Sequence, residues 1–420
     1  MPEPLSVFEH EKLRVGERGF KRTHFDRLLQ WNEANGFKYF DAGPSSITFA
    51  QYVGVIQVGD LVIQVLPKAD RDGDKTKWQN ALIEMLSLVH HLPLTSTTES
   101  HLHKRHSSIL DFFFDLYVRD VQGLVRRGLV KQYHRDTSSQ LALKGRIHWP
   151  GHLRENLIRK ERFHVAHQVY DTDHLLHALL KRALAIVQET ALDPLIAGRA
   201  QDIEWVFENV KDQPLSAANL ERIQLGRKSQ AYGRAVQLAK MIVLDHAPDI
   251  KGGRTKLLGL MFDMNVLFER VVLRLLQRAA IGTDLTITGQ DSQLFWQRQK
   301  IRPDIVVRRG DRVELIIDTK WKMPKDNRPA DSDLKQMYVY NLQYGAQRST
   351  LLYPHVEGAE DLSGGYAPWS WGAERPHACG LGYIDLIGPT GSLNKDCCAP
   401  ILSSLAHTDA DRIPEDRSTP

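Results

Sequence analysis

Hydrophobic positions along this chain fall into two kinds of pattern. Alternation of period two, or short apolar runs closed by turn residues, predicts strands, whereas apolar spacing of three and four predicts helices. The sharpest strand signal lies at residues 301–320, where apolar runs flank Gly310-Asp311. Strands are predicted over 301–307 and 313–320, joined by a turn over 308–312. A second hairpin is predicted over 52–66, with Val53, Val55, Ile56 and Val58 before Gly59-Asp60 and Leu61, Ile63 and Val65 after it. Shorter strands are predicted over 37–40, 47–49, 349–353 and 381–387. Helices are predicted over 25–35, 78–90, 108–127, 173–189, 229–244, 261–277 and 333–344.

Grouped in order, these elements give a multidomain α+β chain, in keeping with 420 residues at ~100–200 per domain. Residues 1–95 read as a β-rich domain, 96–250 as a helical middle region and 251–390 as an α/β domain. Residues 391–420 read as a disordered tail, polar and proline-punctuated toward its end. Residues 133–143 are polar and lead into a short strand or turn at 143–147. Residues 357–379, rich in Gly and Pro and carrying Trp369 and Trp371, are predicted as a loop excursion.

Composition changes this picture little. A hydrophobic content of 42% with 25% charged residues is ordinary for a soluble chain. The net charge of +4 permits a polyanionic partner without arguing for one. The absence of an apolar leader or an apolar run of ~18 residues predicts a cytoplasmic protein with no membrane partner. Cys379, Cys397 and Cys398 lack the paired spacing of a disulfide framework, or of a zinc site with His377. Of the middle-region histidines (His101, His103, His106, His164, His167, His174, His177), His174 and His177 sit three apart on one predicted helix. Without a third ligand they read as helix-face residues. No G-x-x-x-x-G-K-S/T loop is present, and Gly252-Gly253-Arg254-Thr255-Lys256 reads as the entry to the next helix.

The chemistry is concentrated around the 301–320 hairpin. Asp318 and Lys320 lie two apart on one strand and so share a face. Asp304, fourteen residues before Asp318, reaches that face if the hairpin pairs in register. Asp318 follows Leu315-Ile316-Ile317, where an isolated charge is costly without a partner. Two carboxylates suit Mg²⁺, a hard cation that keeps waters and binds substrate phosphate. A lysine beside them suits the orientation of an attacking water or the balancing of phosphate charge. Upstream, Glu269 lies on the 261–277 helix with Phe262, Val266 and Leu273. Downstream, Gln336 and Tyr340 are four apart and share a helix face.

Arg302-Pro303-Asp304 followed by Asp318-Thr319-Lys320 resembles the PD-(D/E)xK nuclease superfamily, and Gln336-x-x-x-Tyr340 resembles an element of its RecB-like branch. With Ile63–Lys68, the Leu82–Leu86 helix and Leu143-Lys144-Gly145-Arg146-Ile147 ahead of that core, the chain resembles the McrC family. The resemblance implies a restriction-endonuclease-like C-terminal domain that hydrolyses phosphodiesters. It implies Mg²⁺ on Asp304 and Asp318, completed or supported by Glu269, with Lys320 assisting the water and Gln336 and Tyr340 positioning. It also implies a ring-forming, GTP-hydrolysing AAA+ partner that this chain stimulates, and double-stranded DNA carrying modified cytosine as substrate. Two rivals are a non-catalytic regulator of a partner NTPase and a stand-alone RecB-like processing nuclease. The acidic residues and the lysine count against the first. The lack of a four-cysteine cluster counts against the second.

Overall fold

The computed structural model describes residues 4–68, 75–90, 109–244, 246–247, 257–322, 324, 328–356, 358–367, 377–388 and 391–407. The chain divides into two compact units that interleave in sequence. One comprises Met1–Pro4, Val55–Val62 and His106–Leu260, the other Leu5–Gly54, Ile63–Arg105 and Met261–Pro420. His101, His103, His106, Trp369, Trp371 and the glycine-rich 252–256 stretch lie outside the described residues, as does the tail beyond 407.

In chain order, β1 (Leu5–Phe8) is followed by β2 (Lys12–Arg14), α1 (Arg22–Ala34), β3 (Phe40–Ala42) and β4 (Ser46–Phe49). β4 pairs antiparallel with both β2 and β3. The 52–66 hairpin forms as β5 (Tyr52–Val58) and β6 (Leu61–Leu66), with Gly59 at φ +63° in its turn, a conformation glycine adopts without a Cβ penalty. β1 lies parallel to β6, with Leu5 opposite Ile63 and Phe8 opposite Leu66. α2 (Lys75–Val89) follows and buries Trp78, Leu82, Met85 and Leu86.

The middle of the chain is helical with one exception. α3 (Ile109–Arg126) is nearly all buried over its first half. β7 (Gln132–Gln140), β8 (Arg146–Ile147), α4 (Trp149–Glu155) and β9 (Phe163–Asp171) come next. β7 pairs with β9 along its whole length, from Gln132 opposite Asp171 to Gln140 opposite Phe163. The polar connection expected at 133–143 is therefore mostly a long strand. α5 (Leu175–Thr190), α6 (Pro194–Glu204), α7 (Ala217–Glu221), α8 (Gly233–Leu244) and the short β10 (His246–Ala247) complete the region. His174 is the N-cap of α5 and His177 lies in its first turn. Both are buried, and they hydrogen-bond the carbonyls of Val130 and Thr172 at 3.0 and 2.8 Å. Burial pulls both imidazoles down, His177 to about 4.

After β11 (Leu257–Asp263) comes α9 (Met264–Ala279), which starts three residues later than its apolar spacing suggests. Asp263 sets that start, since its Oδ1 accepts from the amides of Asn265 and Val266. The helix buries Leu267, Phe268, Val271, Val272, Leu275 and Leu276. Val266 is exposed. β12 (Leu285–Gly289), the hairpin β13 (Gln293–Trp296) and β14 (Gln299–Ile301), β15 (Ile305–Arg309) and β16 (Arg312–Thr319) follow. Next are α10 (Asp331–Tyr344), β17 (Arg348–Pro354), β18 (Leu362–Gly365), β19 (Ala378–Ile384) and α11 (Ala399–His407).

Six of these strands form one mixed sheet in the order β12-β15-β16-β17-β19-β18. β15 and β16 pair antiparallel, whereas β16, β17 and β19 run parallel, with α10 the crossover from β16 to β17. Val306, Ile316, Leu351 and Tyr353 pack with Met337, Tyr340 and Tyr344 of α10 in one core. Alternate residues of a strand face opposite ways, and α9 packs against β12 and β16. The edge strand β18 occupies part of the stretch expected to be a loop excursion. α11, with Leu402 and Leu405 buried, occupies part of the expected tail. Among the described residues no helix is long and apolar enough to cross a membrane.

Candidate active site

The site grows from the register of one hairpin. Ile305 stands opposite Ile317, so Asp304, one step before β15, lies beside Asp318 at the same end of the sheet. Pro303 holds Arg302 extended, and the Arg302 carbonyl accepts from the Tyr340 hydroxyl at 3.1 Å. Asp304 Oδ2 accepts from both the amide and the hydroxyl of Thr319, each at 2.8 Å. One carboxylate is thus fixed over the end of the strand that carries the other.

Asp318 is 2% exposed and sits against Lys320, whose Nζ is 2.7 Å from Oδ2. The other oxygen accepts from Gln336 Nε2 at 3.2 Å, and the same amide donates to Tyr340 at 2.9 Å. The helical spacing of Gln336 and Tyr340 therefore serves one purpose, a relay from the Arg302 carbonyl through Tyr340 and Gln336 to Asp318.

Electrostatics at the site follow from burial and from the proximity of like charges. Burial, and then the Asp304 carboxylate, push the Asp318 carboxyl up to about 6 against the pull of Lys320. Glu269 is also held above its ordinary value, by burial first and Asp304 second. Burial works against the Lys320 ammonium, but Asp318, Asp333 and Asp304 together outweigh it and raise it. Burial raises the Tyr340 phenol.

Three residues here were not singled out from the sequence. Asp333, in the first turn of α10 and buried, lies 3.7 Å from Lys320 Nζ and 2.7 Å from Lys322 Nζ. Gln290 adopts φ +52°, uncommon for a non-glycine residue. Its amide donates to the Asp304 carbonyl at 2.8 Å and its side chain to Glu269 at 2.9 Å. Glu269 is thereby joined to the Asp304 segment, although no side-chain bond between the two carboxylates exists. Trp321, next to Lys320, donates to the buried Glu9 at 2.7 Å and packs against Phe268 and Trp78. The Asp-first turn of α10 and the Glu9-His10 pair at the end of β1 were the available signals, and neither has a spacing that singles it out.

Among the described residues no three His, Cys, Asp or Glu side chains gather into a ready-made metal cage. Cys379 is buried in the sheet core, and Cys397 and Cys398 are neighbours whose sulfurs lie 3.9 Å apart. What the site does gather is oxygen. Asp304 and Asp318 adjoin, and the charge on Asp304 raises both Asp318 and Glu269. Such a donor set suits a hard cation that takes its remaining ligands from water and substrate.

The chain belongs to the family of McrBC 5-methylcytosine restriction system components, whose profile matches residues 47–354, a stretch that includes every residue of the relay. Within it the chain is McrC-like. It is 21% identical over 275 residues to the type IV methyl-directed restriction enzyme EcoKMcrBC of Escherichia coli (strain K12), covering 60% of this chain and 79% of that protein. It also resembles a chain in the refined half-complex from the tetradecameric assembly of Thermococcus gammatolerans McrB AAA+ hexamers with bound McrC. There the TM-score is 0.67 at 18% identity, over 96% of this chain and 100% of that one.

Proposed function

We propose that this chain is the nuclease component of a modified-cytosine-dependent restriction complex and hydrolyses phosphodiesters of double-stranded DNA through a PD-(D/E)xK site. The observation that carries this reading is the meeting of Asp304 and Asp318 at one sheet end, with Lys320 ion-paired to Asp318 and the Gln336–Tyr340 relay behind it. Asp304 and Asp318 would hold Mg²⁺, with Glu269 supporting through Gln290. When bound, the ion supplies Lewis acidity and charge neutralisation at the scissile phosphate. Lys320, steadied between Asp318 and Asp333, holds its ammonium where it can orient the water and balance charge on the phosphate. Gln336 keeps Asp318 aimed by donating to one of its oxygens, and Tyr340 fixes that amide.

By this reading the motor is a separate chain. The Thermococcus gammatolerans complex pairs McrC with AAA+ hexamers of McrB, and a GTP-hydrolysing ring of that kind is the partner proposed here, stimulated by this chain. The test is a cleavage assay on methylated and unmodified DNA with Mg²⁺, GTP and the AAA+ protein encoded beside this chain. Asp318→Ala and Lys320→Ala are expected to lower cleavage by at least about 10²-fold while GTP hydrolysis by the partner stays stimulated. Stimulated hydrolysis without cleavage by the wild-type chain would leave a regulator. Specific cleavage without the partner would leave a stand-alone nuclease.

A further inference from the structure

We infer that the groove between α3 and α8 is a binding site for a phosphate-bearing ligand. It forms a cavity of about 470 Å³, into which Arg119 and Arg127 project from α3 and the residue after it, and Arg234 from the first turn of α8. A pocket of that size holds more than a lone ion and matches a nucleotide or a short run of nucleic-acid backbone.

The charges around this cavity do not balance. Asp115 is shared by two guanidiniums, Arg119 and Arg199, each at 2.6 Å. Asp120, on the cavity wall, is gripped by both Nε and Nη2 of Arg234. Arg127 makes no ion pair among the described residues. Three guanidiniums therefore line the cavity against one carboxylate, Asp120, and the aspartate that Arg119 pairs with lies outside the lining and is shared with Arg199. Guanidinium forks match the oxygens of phosphate edge to edge, and Arg119 keeps nitrogens that its aspartate does not occupy.

A second observation concerns the wall itself. Gly123 lies inside α3 and lines the cavity, yet a Cβ placed there would meet nothing within 4 Å. Packing does not require glycine at that position, and glycine weakens a helix interior. What the missing side chain provides is room for a ligand to approach the helix between Arg119 and Arg127. The inference is independent of the nuclease reading, since neither helix carries any of the carboxylates of that site.

The probe is inorganic pyrophosphate, titrated calorimetrically into the full chain at low ionic strength without divalent cations. Saturable binding is expected, weakened at least about 10-fold by the loss of charge in Arg127→Glu. Gly123→Leu should weaken it similarly by filling the space while leaving every charge in place, and leucine favours the helix that glycine weakens. Circular dichroism verifies that each variant folds. Displacement of pyrophosphate by a short DNA duplex identifies the backbone as the source of the phosphate, whereas displacement by adenosine or guanosine triphosphate alone identifies a nucleotide. Absence of wild-type binding, or wild-type affinity in either folded variant, overturns the inference.

Discussion

Glu9 makes folding more favourable at low pH than at high pH. Its side chain is buried, Oε1 accepts from Trp321 and from the Lys68 amide, and Oε2 has no hydrogen-bond partner. Burial pushes its carboxyl up to about 7. An acid raised in the folded state favours folding while protonated. That contribution is whole below the unfolded value near 4.5 and is lost as pH rises through about 7. The loss amounts to about 3 kcal/mol at most. Glu9→Gln should therefore melt with the wild type near pH 5 and above it at pH 8; equal melting at both would remove Glu9 as the cause. Asp333 invites a different test. On the proposed nuclease reading, Asp333→Asn should leave the fold and substrate affinity in place but lower the cleavage rate constant about 10- to 100-fold, because Lys320 loses one of its two anchors. A changed KM with an unchanged rate constant would count against this role. Asp304, Asp318 and Lys320 were legible because their spacing is fixed by a hairpin. Asp333, Gln290 and Glu9 were not, because each reaches the site through tertiary contacts or an unusual φ.

At the scale of elements, legibility followed the apolar pattern. The second strand of the 301–320 hairpin, after Gly310 at φ +57°, and α10, ended by Gly345 at φ +65°, have clear stops and form close to where they are predicted, whereas the first strand starts at Ile305 and not at 301, since Ile301 pairs in β14 and Pro303 has no amide to donate. β7 (QYHRDTSSQ) has no apolar face at all, so alternation could not announce it, and only its pairing with β9 makes it a strand. At the start of α9 the apolar pattern runs on from β11 into the helix, and the Asp263 cap decides the boundary. Asp263→Ala should lower stability by about 1 kcal/mol, read as a fall in melting temperature. No change would mean that the first turn of α9 is held by its packing alone.

At the scale of the molecule, sequence order and spatial order part company. One compact unit draws on residues 5–54, 63–105 and 261–420 together. Trp321 sits among Phe268, Trp78 and Glu9, and the Leu393 amide donates to Glu84 at 3.0 Å. A fragment spanning residues 261–420 should thus fail to show cooperative melting, since it strips Trp321 of two of its neighbours and exposes the apolar surface that α2 covers. A fragment melting like the whole chain would refute this.

That arrangement also orders events in time. Chains emerge from the ribosome N-terminus first, and compact units ordinarily close as soon as their residues are out. Here β1, β6 and α2 must wait for the last third of the chain before Trp321 can settle against Glu9 and the end of β16 can be held in place. A product terminated before α10 lacks Asp333, Gln336 and Tyr340 and carries no finished site, so on the proposed reading a host synthesising the chain meets the cutting machinery only after the segment through α10 has emerged.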